Sequence, residues 1–408
     1  MSLRSGFLFF CAVLGGFAPA AFPACSESNL IREGFQSSGA PYSIWMPETS
    51  CWNGNFIVFA HGYVAPNRAL GVPQEQLTVD GVSLPALANE LGYGFAASGY
   101  RKNGLAIREG LEDTTDLVRN IIKPDLRPDR IYLVGASEGG LITTLSAEQF
   151  PHLYNSTGAA CGPIGSFQAQ INYLGDFRVV FDYFFPGLVP GAPTTIPQEV
   201  IENWDTVYAP AISAALAAEP EKTAQVINVM QAPVTSDPAT VESTILQVLW
   251  YNVFAVNDAT LTLGGQSFDN HDRIYKGSDD DVLLNLGVQR FTADPEARAQ
   301  MKAHYETTGK VMTPLVTIHT TVDPVVPYWH ETKYTPKTIR AGAFFERTNL
   351  SISAYGHCTF TSPEVLAAVV LMVLRDVGQD LFPQILTALP ERHRSDFVQG
   401  MRNLGLHR

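Results

Sequence analysis

Basic residues are scarce in this sequence relative to acidic ones. Lys and Arg together number 27 against 40 Asp and Glu, which gives a formal net charge of −13 at pH 7. An acidic chain repels a polyanion, and we therefore expect no nucleic-acid partner. Charged residues of both signs make up 16% of the chain and hydrophobic residues 46%. That balance argues against a disordered chain and predicts a globular protein with a large core.

The sequence also lacks an apolar run long enough to cross a membrane, which takes about 20 residues. The run near the N terminus is shorter and is interrupted by Gly15, Gly16 and Pro19. Residues 1–24 place Arg4 before this run and small residues after it, which is typical of a secretory signal peptide. We expect the segment to be removed and the mature protein to be secreted or periplasmic, with no stable membrane span.

Cysteine is rare, with five in the chain, and Cys11 lies in the expected signal peptide. The others are Cys25, Cys51, Cys161 and Cys358, an even set that suits disulfides in an oxidising compartment. Several pairings are open to such a set. We favour Cys25 with Cys51, which are close in sequence, and this leaves Cys161 with Cys358. No cysteine shows the CxxC-type spacing of a structural zinc site, so we expect no metal bound through thiolates.

From residue 41 onward, short apolar segments alternate with helical ones, which predicts an α/β fold around a mainly parallel sheet flanked by helices. The strand candidates are 42–46, 55–60, 94–98, 131–134, 157–161, 314–320 and 349–354. The helix candidates are 107–122, which should end before Pro124, 141–150 and 363–377.

The alternation stops between about residues 165 and 310, where the strand signal is weak and long helical runs lie among Pro and Gly turns. We predict an α/β core formed by 25–164 and 311–390, a helical insertion over 165–310 and a polar C-terminal tail over 391–408. The insertion is rich in aromatic residues, Leu and Val. Most of these side chains should form its own core, although a lid over an apolar pocket would have the same composition.

Residues 135–139 read Gly-Ala-Ser-Glu-Gly, which matches the G-x-S-x-G pattern around a nucleophilic serine. In that pattern the serine lies on a tight turn from a strand to a helix, where side chains at the flanking positions would clash. The context is present, with a strand candidate before the motif and a helix candidate after it. We predict that Ser137 is a nucleophile, because a helix N-cap would favour serine but would not require two glycines.

A serine nucleophile needs a histidine base and an acid that orients the base, and in enzymes with this motif they follow the serine in the order acid, histidine. His357 lies just after the last strand candidate and before the last helix. Asp323 follows strand candidate 314–320, which brings it to the carboxyl end of the sheet, where catalytic groups gather. His319 falls inside that strand and His330 begins a helix, so we prefer His357 to either of them.

The oxyanion that forms during acyl transfer needs two N–H donors held in place. We expect one to be the backbone N–H of Glu138, directly after the nucleophile. The other should come from the loop after strand candidate 55–60, which reads His61-Gly62-Tyr63. We choose the backbone N–H of Tyr63, whose ring would then flank the substrate.

Four segments together resemble the α/β-hydrolase superfamily: HGY from His61, GASEGG from Gly135, VDPVVP from Val322 and YGHC from Tyr355. The resemblance is to secreted esterases, lipases and prolyl-oligopeptidase-like enzymes in particular. It implies the triad Ser137, Asp323 and His357 and hydrolysis through an acyl-enzyme, and it implies no cofactor. Superfamily membership does not fix the substrate.

The pair His357-Cys358 is similar to one in the tannase and feruloyl esterase family, where a disulfide ties the histidine loop to a cysteine directly before the serine. This sequence departs from that family, because Ala136 precedes Ser137. Cys161, at the end of the next strand candidate, would supply the tie instead.

We therefore expect a secreted serine hydrolase that cleaves small or polymeric carboxylic esters with an apolar or aromatic group. A secreted aminopeptidase or prolyl-type peptidase stays open, since the same triad cleaves amides, and so does a binding module that keeps the fold without chemistry. The acidic loop Asp279-Asp280-Asp281 would suit calcium but lacks EF-hand spacing. A solvated acidic loop is the simpler interpretation.

Overall fold

The computed structural model describes residues 29–378 and 382–406. The expected signal peptide and Cys25 lie outside the described residues, so the cleavage and the Cys25–Cys51 pairing stay predictions. Within the described ranges, no helix combines the length and the apolar character that crossing a membrane requires.

The strands of the described chain are β1 Asn29–Phe35, β2 Pro41–Met46, β3 Asn55–Ala60, β4 Thr78–Val79, β5 Val82–Ser83, β6 Gly94–Ser98, β7 Arg130–Ala136, β8 Ser156–Ala160, β9 Leu315–Val322 and β10 Arg347–Tyr355. Eight of them form one sheet in the order β1-β2-β6-β3-β7-β8-β9-β10, and β4 pairs with β5 in a separate ribbon. β2 is antiparallel to both neighbours, while the strands from β6 to β10 in the sheet order are parallel. The carboxyl ends of these parallel strands therefore meet at one edge of the sheet.

The helices of the described chain are α1 Leu84–Glu90, α2 Ile107–Asp116, α3 Lys123–Leu126, α4 Glu138–Gln149, α5 Phe167–Phe184, α6 Gln198–Glu202, α7 Ala209–Ala218, α8 Pro220–Met230, α9 Ala239–Leu263, α10 Asp281–Gly287, α11 Pro295–His304, α12 Trp329–Arg340, α13 Ser362–Val377, α14 Phe382–Ala388 and α15 Glu391–Asn403. A π-helical turn over 117–122 joins α2 to α3. The helix expected to end before Pro124 thus continues to Leu126. Pro124 lies directly after the π-helical turn, at the second position of α3.

Helices cover both faces of the sheet. α1 and α13 pack on one face, over apolar side chains that include Ile57, Phe95 and Val316. α2 and α4 pack on the other, over a cluster that includes Leu133 and Ile142. Because the inner strands are covered on both sides, they read as continuous apolar runs. A mostly parallel central sheet flanked by helices is the α/β-hydrolase architecture, and the predicted fold class is confirmed.

Between β8 and β9 the chain forms helices α5 to α11. Their apolar side chains, such as Phe177, Phe181, Trp204 and Leu249, make a core separate from those of the sheet. This agrees with the weak strand signal of that segment, and its role as a lid stays a prediction.

The segment 391–408, expected to be a polar tail, contains helix α15. This helix packs against α13, and its Phe397 is 1% exposed. The sequence is polar on average because Phe397 is one of few apolar side chains on the buried face, while the arginines lie elsewhere on the helix. The average composition therefore misses an amphipathic helix.

Candidate active site

Ser137 lies on a sharp turn between β7 and α4. Its backbone has φ 57° and ψ −120°, a conformation that residues other than glycine rarely adopt. The Ser137 N–H donates to the carbonyl of Ala160 at 2.8 Å, which fixes the turn against the end of β8. The side chain is thereby held at the carboxyl edge of the sheet.

The two glycines of the motif are required by close backbone packing. A Cβ at Gly139 would collide with the carbonyl oxygen of Ala60, and a Cβ at Gly135 would collide with the carbonyl oxygen of Gly139. The turn can therefore approach β3 and fold back on itself only with glycine at both positions.

Three predicted side chains meet at this edge. The Nε2 atom of His357 is 2.8 Å from the Ser137 Oγ, and its Nδ1 atom is 2.7 Å from the Asp323 Oδ2. Asp323 follows β9 and is fully buried, while His357 follows β10. The Gly356 N–H donates to the Val322 carbonyl at 3.0 Å, which ties the histidine loop to the end of the aspartate strand. Ser137, His357 and Asp323 thus form one chain of hydrogen bonds.

Asp323 is held as a carboxylate by several donors. Its Oδ1 accepts from the backbone N–H groups of Val325 at 2.9 Å and Val326 at 3.0 Å. Burial alone would raise its pKa, but the charge of His357 and the hydrogen bonds from His319 and His357 outweigh burial, so the pKa of Asp323 is lowered.

His319, which the sequence placed inside a strand, lies directly behind Asp323. Its Nε2 is 3.5 Å from the Asp323 Oδ2 and 2.8 Å from the Val326 carbonyl oxygen, and its Nδ1 is 3.1 Å from the Glu331 Oε1. Burial alone would lower its pKa, but hydrogen bonds to Asp323 and Glu331 raise the pKa of His319 to about 10. The imidazole is therefore a cation at neutral pH, held between two carboxylates.

Glu331 continues this line of charges away from the site. Its Oε2 accepts from the Thr317 hydroxyl at 2.9 Å and from the Arg347 guanidinium. Behind the triad, then, a buried row alternates in sign: Asp323, His319, Glu331 and Arg347. No sequence motif predicts this row, because a histidine within an apolar strand is typical of a core residue.

The loop after β3 lies beside Ser137. A Cβ built on Gly62 would be 3.2 Å from the Ser137 Cβ. The His61 Nδ1 is 2.7 Å from the Gly62 carbonyl oxygen, and Gln76 accepts from the Gly62 N–H at 2.7 Å while it donates to the Tyr63 carbonyl at 3.2 Å. Because a trans peptide points its C=O and N–H in opposite directions, the bond from His61 also orients the Tyr63 N–H. His61 and Gln76 thus hold the backbone of this loop, and no sequence motif predicted these contacts.

His61 is suited to donate to this carbonyl as a neutral imidazole. It is 2% exposed and stacks on Tyr100 with 3.8 Å between ring centroids. Burial lowers the pKa of His61 to about 4. The ring therefore adds no charge next to Ser137.

Glu138 has a backbone N–H without a partner in its helix and a side chain that is buried. It is the first residue of α4, where the backbone N–H has no partner within the helix. Its carboxyl accepts from the Ala106 N–H at 2.7 Å, and burial raises the pKa of Glu138 to about 8. The side chain is thus engaged with the loop before α2, and only the backbone is available to a reacting group at Ser137.

A disulfide joins Cys161 to Cys358, with 5.5 Å between the Cα atoms, as predicted. Cys161 follows β8 and Cys358 directly follows His357. The bond therefore ties the histidine loop to the strand beside the Ser137 turn. The departure from the tannase pattern at Ala136 is thus compensated from a neighbouring strand.

Helix α9 forms the opposite side of the site. The Tyr251 ring lies 6.4 Å from the His357 ring, and the Tyr63 hydroxyl donates to the Phe254 carbonyl at 3.0 Å. The Tyr355 hydroxyl, just before the histidine loop, donates to the Thr240 carbonyl at 3.1 Å. The insertion is therefore bonded to the loops on both sides of the serine.

The acidic loop is already used by its neighbours. Asp280 accepts from the N–H groups of Val282 and Leu283 and caps α10. Asp281 accepts from Ser278, and Asp279 accepts from Gln225. The three carboxylates thus stabilise the loop and the start of α10, and these contacts do not support a calcium site.

No protein-family model matches the chain, and no curated protein matches it. Among solved structures, feruloyl esterase B from Aspergillus oryzae is similar, with 15% identity and a TM-score of 0.49 over 84% of this chain and 78% of that chain. Acylaminoacyl peptidase from Pyrococcus horikoshii has 14% identity and a TM-score of 0.42 over 88% of this chain and 44% of that chain. The esterase LipA from Xanthomonas oryzae, which degrades rice cell walls, has 14% identity and a TM-score of 0.42 over 86% and 89%.

This chain thus spans less than half the length of the peptidase. At such low identities and TM-scores, these likenesses assign no activity. The order and direction of the strands establish the fold.

Proposed function

We propose that this protein is a serine hydrolase that cleaves carboxylic esters through an acyl-enzyme. The observation that carries the proposal is the hydrogen-bonded chain Ser137–His357–Asp323, with distances of 2.8 and 2.7 Å, at the carboxyl edge of the sheet. A base within hydrogen-bond reach of the nucleophile, itself oriented by a carboxylate, is the arrangement that activates a serine.

In the proposed reaction, His357 takes the proton of Ser137 as the Oγ attacks the ester carbonyl. The N–H groups of Glu138 and Tyr63 stabilise the oxyanion. His357 then gives the proton to the leaving alcohol, and the acyl group stays on Ser137. Water attacks the acyl-enzyme with His357 again as base, which releases the acid and restores the serine. Asp323 keeps the imidazole in the required tautomer and stabilises the imidazolium.

The surroundings of Ser137 support a neutral ester over a peptide with a free amino terminus. Binding an ammonium group would need a carboxylate in the substrate cavity. None of the described residues that line the cavity at Ser137 carries one. We therefore place a peptidase second to an esterase, and the helical insertion is proposed to act as a lid over an apolar substrate.

Export is part of the proposal. The Cys161–Cys358 disulfide is of the kind that persists in oxidising compartments, and it supports a secreted or periplasmic enzyme.

The test is hydrolysis of p-nitrophenyl butyrate and of the matching p-nitroanilide by the purified protein and by Ser137→Ala. We expect ester hydrolysis that the variant loses by at least about 10³-fold, and much slower amide cleavage. Cleavage of the anilide at the higher rate would favour the peptidase. Ester cleavage that survives in Ser137→Ala would contradict the proposal.

A further inference from the structure

The central strands of the sheet differ in exposure between their two faces. On the side of α2 and α4, Leu133, Thr157 and Ala159 are at most 1% exposed. On the side of α1 and α13, Ala136, Gly158 and Ala160 are only partly buried, although helices cover this face as well. Strands at the centre of a covered sheet should be sealed on both sides. Open space therefore reaches the sheet on one side.

That space is a cavity of about 340 Å³ that begins at Ser137 and His357. From there it runs between the sheet and helices α1 and α13. Past the polar mouth its walls are apolar side chains of strands and helices, among them Ile57, Leu87, Val134, Val316, Val369 and Met372. An apolar cavity of this size is a candidate ligand site rather than a packing defect.

Small residues on β7 and β8 create the cavity. Ala136 pairs with Ala160, and Val134 pairs with Gly158, so three of four neighbouring positions on this face have a side chain no larger than a methyl group. A Cβ at Gly158 would lie 3.2 Å from the Met372 Sδ, which places Met372 over the deep end. Larger residues at these positions, as in an ordinary sheet core, would fill the space.

The lining residues show how far the cavity extends along the strands and along α13. From Ala136 to Val134 it follows the strand for about 7 Å, and from Val365 to Met372 it follows α13 for about 10 Å. An engineered cavity of about 150 Å³ holds one benzene ring, so this one has room for a chain of about ten carbons. An unbranched acyl chain would follow this apolar lining from Ser137 toward Met372.

The two parts of an ester differ in how long they stay at the nucleophile during the proposed reaction. The alcohol leaves before water attacks, whereas the acyl group stays on the serine. An interior cavity that starts at the nucleophile therefore suits the acyl group, and the alcohol needs an open exit.

We propose that this cavity is an acyl-binding tunnel and that the preferred substrates are esters of unbranched fatty acids of about ten carbons. The proposal rests on the proposed esterase function and names its substrate class. Gly158, Ala160 and Val369 are then specificity-determining residues, because they set the free volume of the tunnel.

The experiment compares two isomeric esters, ethyl decanoate and decyl acetate, by titration of the released acid at constant pH. We expect the wild-type protein to hydrolyse ethyl decanoate at least tenfold more efficiently, and Val369→Phe to lose at least tenfold on it while p-nitrophenyl acetate changes by less than twofold. Leu371→Phe, on the same helix but outside the lining, is the matched control and should change neither rate. If Val369→Phe does not fold, Ala368→Leu replaces it, because Ala368 also lines the cavity and a leucine there would fill part of it.

Equal rates on the two isomers, or a preference for decyl acetate, would overturn the acyl assignment. So would plugged variants that lose short and long substrates alike. If no ester of any length is cleaved, the proposed function fails, and the tunnel is tested separately by displacement of a fluorescent fatty acid with decanoate. Binding to wild type that Val369→Phe abolishes would support the tunnel, and no binding to wild type would overturn it.

Discussion

The candidate site has two walls of different construction. The core wall consists of Ser137, Asp323 and His357 with His319 behind them, and each polar atom that faces the reaction is placed by a hydrogen bond. The insertion wall consists of Trp250, Tyr251 and Phe254 of α9. The rings of Trp250 and Tyr251 contact the rings of Tyr63 and His357, and the Phe254 carbonyl accepts from the Tyr63 hydroxyl. Chemistry requires atoms at fixed positions, whereas substrate contact requires apolar area. We therefore expect substitutions on the core wall to change kcat and those on the insertion wall to change KM.

The largest effect is expected at the buried end of the core wall. Asp323→Asn keeps the shape of the side chain but removes the charge that fixes the His357 tautomer, so kcat on p-nitrophenyl butyrate should fall by about 10⁴-fold. Asp272→Asn is the control, because the Asp272 side chain is 98% exposed. A kcat for Asp323→Asn within tenfold of wild type would mean that Asp323 does not orient the base.

The disulfide tests whether the core wall depends on a covalent tie. Removing it in Cys161→Ala/Cys358→Ala frees the histidine loop from β8 and removes a link between residues 197 positions apart. We expect the free energy of unfolding to fall by about 2–5 kcal/mol and kcat to fall about tenfold. Denaturant unfolding and ester hydrolysis measure the two effects. Unchanged stability and kcat would show that the loop holds its position without the bond.

The charge behind Asp323 should be visible in pH dependence. His319 is a cation at neutral pH, and in His319→Gln the full charge of Asp323 would act on the His357 imidazolium. The acidic limb of kcat/KM should then move to higher pH, by up to about one unit. His330→Gln is the matched control, since His330 is also buried but its Nε2 bonds Gln170 and its pKa is lowered well below the usual value by burial. A shift of equal size in the control would point to general loosening of the loop.

The same group makes a second prediction about stability. The pKa of His319 is about 10 in the fold against an ordinary value of 6.5. Its ion pairs therefore stabilise the fold fully below pH 6.5 and lose their effect as the pH rises through about 10. The free energy of unfolding should decline over that range in the wild type and decline less in His319→Gln. Parallel curves for the two proteins would contradict the assignment of the charge.

The smallest effect is expected on the insertion wall. Tyr251→Ala removes a ring beside His357 but no hydrogen bond to the triad, so KM should rise about threefold to tenfold with kcat within about twofold. Leu261→Ala on the same helix is the control, because Leu261 is 83% exposed. A large loss of kcat in Tyr251→Ala would mean that the insertion takes part in the chemical step as well as in substrate binding.

The sequence was most informative where short motifs follow strands. Parallel strands bring their carboxyl ends to one edge, so residues that directly follow β7, β9 and β10 have to meet there, and Ser137, Asp323 and His357 do meet. The glycines at 135 and 139 gave further guidance, because their role depends on local backbone packing. The catalytic role of Ser137, Asp323 and His357 stays a proposal, which the substitutions at these positions test.

The missing features depend on packing between distant segments. His319, Glu331 and Arg347 become neighbours only through the register of β9 with β10 and the placement of α12, which no local pattern encodes. The tunnel arises from the coincidence of Ala136, Gly158 and Ala160 on one face of two paired strands. Helix α15 was missed because a single buried aromatic residue does not raise the apolar average of the segment.

Covalent labelling would show whether Ser137 is an activated nucleophile. A fluorophosphonate reacts with a serine only when a base activates it. We predict one label per protein molecule by intact mass, on the peptide that contains Ser137, with labelling lost in Ser137→Ala and strongly slowed in His357→Gln. Labelling at another serine, or no labelling of a folded protein, would show that Ser137 is not the nucleophile.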